Sequence, residues 1–368
     1  MATEGVIVIK NTAPKYLKGA ADQTIRSRFW LSYFQSRGRI KLGDGSYSQT
    51  WNVRARQPEV RQNGDAGQQV FNEHDAYEQL SLDVRGYVAT DRMTLKKKLM
   101  NKDPFAIVDI YGTKMDNLIG ALRDGFSSEL YVDGNLSGNS NRIHGIESAT
   151  AAGGTVTAAD IIAVPGDTYG GKSTALQAIG GRWSANLTTK PNATLATDWP
   201  YGSGSSDYDY ISPKLINWSS TGWNSGSTAW GANSTFVLRR AKTWSRTLGG
   251  DDAAPMVHLL APNLFDEFMD AQESKQRLII PHKAAQDLGF DSVMNFEGAM
   301  LKSEFDCPAN TGYGINIEEM LLYSIHDQFF FSYGPEFTME SLSDLFLVGF
   351  FGNMQMNPKH ICKYYPYA

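Results

Sequence analysis

The sequence predicts an α+β chain with one long helix and its strands gathered into separate stretches. Three observations predict this. Two apolar–polar alternating segments flank a polar stretch in the first hundred residues. A single 3.6-residue periodicity runs from Pro104 to about Leu130. Short apolar and aromatic runs crowd the last hundred residues. The chain has 368 residues, 42% hydrophobic and 20% charged, enough for two or three packed lobes around a sizeable core.

Residues 1–45 read as an arm. Lys15 to Ile40 has helical character, with Ile25, Phe29, Trp30, Leu31 and Phe34 set among Arg26, Arg28 and Arg37. So many aromatic groups need a surface, either the chain's own core or a neighbouring subunit, and Trp30 is a candidate for the second. Residues 46–104 read as a projecting β-hairpin. Trp51 to Arg56 and Leu80 to Arg85 alternate, and the stretch between them carries the turn signal Asn63-Gly64-Asp65-Ala66-Gly67. A hairpin alone in water is marginal, so it is expected to rest on a partner. Trp51, Arg54, Arg56 and the return cluster Lys96, Lys97 and Lys98 are its candidate contact residues.

Asp103-Pro104 suits a helix start, Asp as cap and Pro in the first turn. Apolar residues then recur at Ile107, Tyr111, Met115, Leu118, Leu122 and Phe126, one face of a rod about 37 Å long. Residues 134–232 are rich in Gly, Ser, Asn and Thr with five interspersed Trp, at 183, 199, 218, 223 and 230. Such content argues against plain disorder; exposed, these aromatics would suit a carbohydrate-binding face. A helix is expected over Thr235 to Leu248 with Phe236, Val237, Ala241, Trp244 and Leu248 facing in. A strand over 256–260 and a helix from Leu264 to Ala271 follow. Strands close the chain at Phe329 to Phe331, Leu345 to Val348 and Phe350-Phe351.

Few residues suggest chemistry. Gly166-Asp167-Thr168-Tyr169-Gly170-Gly171-Lys172-Ser173 fits the phosphate-loop pattern, in which backbone N–H groups cradle phosphates and Lys and Ser meet phosphate and Mg²⁺. Gly166, Gly171, Lys172 and Ser173 would carry a P-loop NTPase. The context disagrees, because Pro165 interrupts the entering strand, Gly180-Gly181 cut short a helix from Thr174, and no apolar strand ending in Asp is well placed downstream. None of the six His has metal-ligand spacing, none sits beside a Cys, and no serine nucleophile elbow occurs. Asp207 and Asp209 are read as solvated turn acids. Cys307 and Cys362 are the two cysteines, too few for a disulfide framework. No cofactor, metal or catalytic residue is expected. No apolar run reaches the roughly 18–20 residues of a membrane span. The first 104 residues hold 17 Lys/Arg against 11 Asp/Glu, a net of +6; the rest hold 17 against 28, a net of −11. A basic front and an acidic body suit contact between copies, whereas nucleic-acid recognition needs a denser basic stripe.

Several phrases resemble one family. Phe296-Glu297-Gly298-Ala299-Met300, Phe305-Asp306-Cys307-Pro308-Ala309 and Gly314-Ile315-Asn316-Ile317 leading to Met320-Leu321-Leu322-Tyr323 resemble the central-sheet segment of tailed-bacteriophage major capsid proteins of the Hong Kong 97 type. There, one strand ends in Gly, a second runs into an acid and a Pro, and a third opens with Asn. Asn141 to Ile146 resembles the phrase after that family's spine helix, and Tyr169-Gly170-Gly171 with Trp183 its following turn and strand. The order of parts agrees over most of the chain. The resemblance implies a two-lobed subunit: an arm at 1–45, an extended loop at 46–104 and a peripheral domain at 105–232 with a spine helix at 105–130. An axial domain at 233–335 and C-terminal strands at 336–368, returning to the peripheral domain, complete it.

The same resemblance implies self-assembly as pentamers and hexamers into an icosahedral shell around double-stranded DNA, without specific DNA binding. It implies a virion protein assembled in the bacterial cytoplasm beside a portal and possibly a decoration protein. No long charged coiled-coil segment appears near the N-terminus, so a separate scaffolding protein, or prior removal of such a segment, is expected. The family's occasional covalent cross-link has no marked site here, although Lys96 to Lys98 and Asn357 offer the residue types. An encapsulin-like cellular shell is the nearest alternative.

Overall fold

The computed structural model of the chain describes residues 29–43, 45–54, 77–100, 104–175, 211–223, 226–249, 254–273 and 293–367. Two sheets and the helices on them share one continuous apolar core.

The first sheet is organised by β15 (Ser343–Met356), the longest strand. Along residues 343–352 it pairs antiparallel with β4 (Arg85–Thr94). Its other edge takes β14 (Phe331–Thr338) and then β13 (Met320–Ser324), to which β1 (Ile40–Leu42) adds in parallel. The long helix α3 (Pro104–Glu129) lies across β4 and β15. Tyr111, Met115, Leu118, Ile119, Leu122 and Phe126 form its buried face, as the 3.6-residue period requires. Phe346, Val348 and Phe350 alternate inward from β15 to meet it. The Phe126 ring centre lies 4.6 Å from that of Phe350, and Tyr111 lies 5.0 Å from Phe346. Each such side chain taken from water stabilises the fold by about 2–3 kcal/mol.

The second sheet has seven strands in the order β10 (Val293–Phe296), β11 (Ala299–Ser303), β9 (Val257–Leu260), β12 (Gly312–Ile315), β16 (Ile361–Tyr365), β8 (Lys214–Asn217) and β5 (Ile162–Ala163). Strands β8, β9 and β12 are buried at every position, which is why they read as short continuous runs rather than alternations. Helices α4 (Trp230–Gly249) and α5 (Pro262–Glu273) pack against each other and onto this sheet. Trp230 Nε1–H donates to the Leu264 carbonyl at 2.7 Å and pins the pair.

Four local expectations change. Helix α4 begins at Trp230, earlier than Thr235. Phe236 is 45% exposed, while Leu238 is buried. At 100° per residue Phe236 falls far from the face shared by Trp230, Val237, Ala241 and Trp244. The Asn316 phrase is not the start of one strand. Asn316 accepts the Glu318 N–H at 3.1 Å and caps a 3₁₀ turn, Ile317–Glu319, that divides β12 from β13. The C-terminal strands do not return together: β15 joins the sheet under α3, but β16 inserts between β12 and β8.

No helix among the described residues is long and apolar enough to cross a membrane. Asp103, the hairpin tip at 58–75, Trp183, Trp199, Asp207, Asp209, His74, His282 and the side chain of Leu248 lie outside the described residues.

Candidate assembly surfaces

Of the expected hairpin, the described residues give the base, β2 (Ser48–Arg54) paired antiparallel with β3 (Tyr77–Asp83), Trp51 opposite Leu80. Leu80 and Leu82 point into the core and anchor it. Trp51 is half-buried, its ring centre 6.0 Å from that of Tyr169. Arg54 is exposed and borders a polar hollow of about 320 Å³ with Glu319, Gln355 and Asn357. Arg56 lies outside the described residues.

The phosphate-loop pattern folds as something else. Thr168–Tyr169 (β6) and Lys172–Ser173 (β7) form a miniature hairpin. Gly170 and Gly171 turn it at φ of 58° and 78°, both left-handed, as a two-residue type I′ turn demands. No helix begins at Thr174 or Ala175, and the Lys172 ammonium pairs with Glu78 at 2.9 Å. Among the described residues phosphate would find neither a helix N-terminus nor an unpaired lysine here. Instead the hairpin buttresses β3. Ser81 N–H donates to the Gly170 carbonyl at 3.1 Å. Tyr169 Oη donates to the Met354 carbonyl at 2.8 Å and accepts the Met356 N–H at 3.0 Å, fastening the assembly to β15.

The phrase Asn141 to Ile146 forms a tight passage from α3 back to the sheets. The Arg142 guanidinium grips both oxygens of Glu129, at 2.6 and 2.7 Å. The Tyr87 hydroxyl donates to the same carboxylate at 2.7 Å and accepts the Ile143 N–H at 2.8 Å. Ile143 and Ile146 are buried. Gly145 admits no side chain, since a Cβ would stand 2.5 Å from the Leu130 carbonyl oxygen. Nearby, Arg85 donates to the carbonyls of Gly134, Asn139 and Arg142. Glu147 receives Lys363 Nζ at 2.5 Å and the Tyr313 hydroxyl. Sequence reading missed Arg85, Glu129, Glu147 and Lys363, because a lone charged residue carries no mark of a partner far along the chain.

No protein-family model matches the sequence, and no curated protein matches it. The fold has relatives among solved structures. The chain superposes on a subunit of the cyanophage A-1(L) capsid with a TM-score of 0.52 and 17% identity, over 89% of this chain and 90% of that one. A subunit of the native GTA particle capsid gives 0.51 and 9%, over 89% and 88%. The chain has the Hong Kong 97-like capsid fold.

In this capsid fold, Trp30 sits in α1 (Phe29–Ser36), fully enclosed and edge-on to Phe34 at 5.1 Å. Of the two surfaces expected for the arm, this part uses the chain's own core, and Trp30 is enclosed within it. The lysine cluster forms a short helix, α2 (Leu95–Met100). Lys98 pairs with Asp344 at 2.8 Å, and the Tyr111 hydroxyl donates to the same carboxylate. Lys96 and Lys97 are exposed, as are Leu99 and Met100 beside them. Asn357 accepts the Lys359 N–H at 3.3 Å and caps a 3₁₀ turn.

No group of three or more His, Cys, Asp or Glu among the described residues could hold a metal. Cys307 and Cys362 are buried free thiols that burial pushes up, away from the thiolate form.

Proposed function

We propose that the chain is the major capsid protein of a tailed bacteriophage. It is a structural subunit and not an enzyme, joining others as pentamers and hexamers in an icosahedral shell around double-stranded DNA. The observation that carries this reading is the match of 89% of the chain to capsid subunits. The pairing of Ser48–Arg54 with Tyr77–Asp83, anchored by Leu80 and Leu82, supports it as the base of such a loop. The enzyme reading loses its best motif with Lys172 paired to Glu78 and Thr168 to Ser173 in a β-hairpin.

In this reading, residues 105–232 form most of a peripheral domain and 233–335 an axial domain, with β16 tying the C-terminus to the latter's sheet. Arg54, Arg56, Lys96 and Lys97 are subunit-contact residues, and the arm before Phe29 reaches a neighbour. Scaffolding, portal and decoration proteins are the partners, the virion is the destination, and the host cytoplasm is the place of assembly. The net charge of −5 suits a container that encloses DNA without gripping it.

Negative-stain electron microscopy of the protein expressed alone and with its neighbouring genes tests the proposal. Closed icosahedral particles are the expected result. A stable monomer under every condition would overturn it, and nucleotide binding abolished by Lys172→Ala would restore the enzyme reading.

A further inference from the structure

A cleft of about 450 Å³ opens where β9 and β11 begin and β12 ends, between α1 and α4. Arg37, just past α1, and Lys242 and Arg246, one turn apart on α4, bring three cations to it. Two acids face them. Glu297 in the β10–β11 turn is held by Arg239 at 2.7 Å, and its carbonyl accepts from Lys242 Nζ. Glu318 is the other. Tyr33 also lines the cleft, 2% exposed, its hydroxyl without a hydrogen-bond partner among the described residues. Burial raises its pKa and keeps it protonated, against the opposing pull of Arg37.

Elsewhere on the chain stands a matching surface. Asp266, Glu267 and Asp270 are exposed on α5, with no cation in ion-pair contact among the described residues. Asp266 and Asp270 are one turn apart and repel, a cost to the isolated subunit that a cationic partner would relieve. Helix α5 leaves from the far end of β9, whereas the cleft lies at its beginning. One copy therefore does not bring the two surfaces together.

We propose that the acidic face of α5 in one copy docks in the Arg37–Lys242–Arg246 cleft of the next. A carboxylate of the docking copy takes the guanidinium of Arg37 as a hydrogen-bond donor. Joining different patches on successive copies is a heterologous contact, which closes into a ring when the rotation allows. This pairing rests on the shell reading and gives it a specific contact.

Charge reversal tests it. Asp266→Lys with Asp270→Lys breaks no ion pair among the described residues, so the subunit keeps its melting temperature while closed-particle yield falls at least about tenfold. Lys242→Glu with Arg246→Glu lowers particle yield by the same factor, and combining all four changes restores yield to within about threefold of wild type. Because Lys242 also holds the Glu297 turn, the α5 variant is the arm independent of that turn's folding. If wild type and the α5 variant assemble equally well, the docking is overturned and the shell reading stands; a folded four-site variant without recovery has the same meaning. A wild type that forms no particles overturns the shell reading and the docking with it.

Discussion

Arg142 shows how a single side chain fixes a chain reversal. Its planar fork matches the Glu129 carboxylate at two points, a geometry that lysine cannot copy. Glu129 is 14% exposed, so its charge depends on that partner and on Tyr87. Arg142→Ala is expected to destabilise the isolated subunit by about 2 kcal/mol, with Arg142→Lys recovering only part, as read by urea unfolding. Gly145 is the steric counterpart. A methyl group at this position would meet the Leu130 carbonyl at 2.5 Å and the Val132 amide at 2.6 Å, both backbone and unable to swing aside. Gly145→Ala is therefore expected to cost about 3 kcal/mol, and a variant as stable as wild type would contradict the packing described for this passage.

At the scale of elements, legibility followed the range of the forces. The long helix α3 was plain in the sequence because Tyr111, Met115, Leu118, Leu122 and Phe126 repeat on one face of a local structure. The hairpin base was plain because β2 and β3 alternate. What stayed hidden was pairing at long range: nothing in Ile361–Tyr365 says that it enters the middle of the other sheet. The candidate contact residues were only partly legible, since the aromatic run at Phe29 to Phe34 suits a core as well as an interface and the core took it. The hairpin's two ends accordingly require separate tests. Deleting residues 58–75 should leave the subunit's melting temperature unchanged while abolishing closed particles; normal particles would remove the hairpin from assembly. Trp51→Ala acts on the base as well. Trp51 packs on Tyr169 within the same chain, so about 2 kcal/mol of subunit stability should go with it. Lys172→Ala breaks only a partly exposed ion pair and should cost less than about 1 kcal/mol.

The whole molecule carries a pH dependence that no single element shows. His144, His258 and His360 are buried, and desolvation lowers them to about 4, 3 and 3. Arg85 adds to the effect at His144, Lys242 at His258, and Lys214 and Lys359 at His360. In the unfolded chain each titrates near 6.5. Between those values the unfolded state binds more protons, so the stability they confer is complete above about pH 6.5 and is lost as pH falls toward 4 and then 3. Each histidine should account for about 2 kcal/mol of that loss by pH 5. Asp133 and Asp167, raised chiefly by burial, act in the opposite direction, favouring the folded state on acidification. Their contribution sets in as pH falls through their raised folded values and is complete below the unfolded value near 4. His258 lies on β9, where its Nδ1 meets the Tyr364 hydroxyl of β16 at 2.9 Å, and His360 immediately precedes β16. Acid should thus loosen the seven-stranded sheet along the seam that binds the C-terminus to it. Urea midpoints measured from pH 7 to pH 5 are expected to fall, and His258→Gln should flatten the slope by about one proton; a wild-type midpoint constant over that range would contradict the buried neutral histidines.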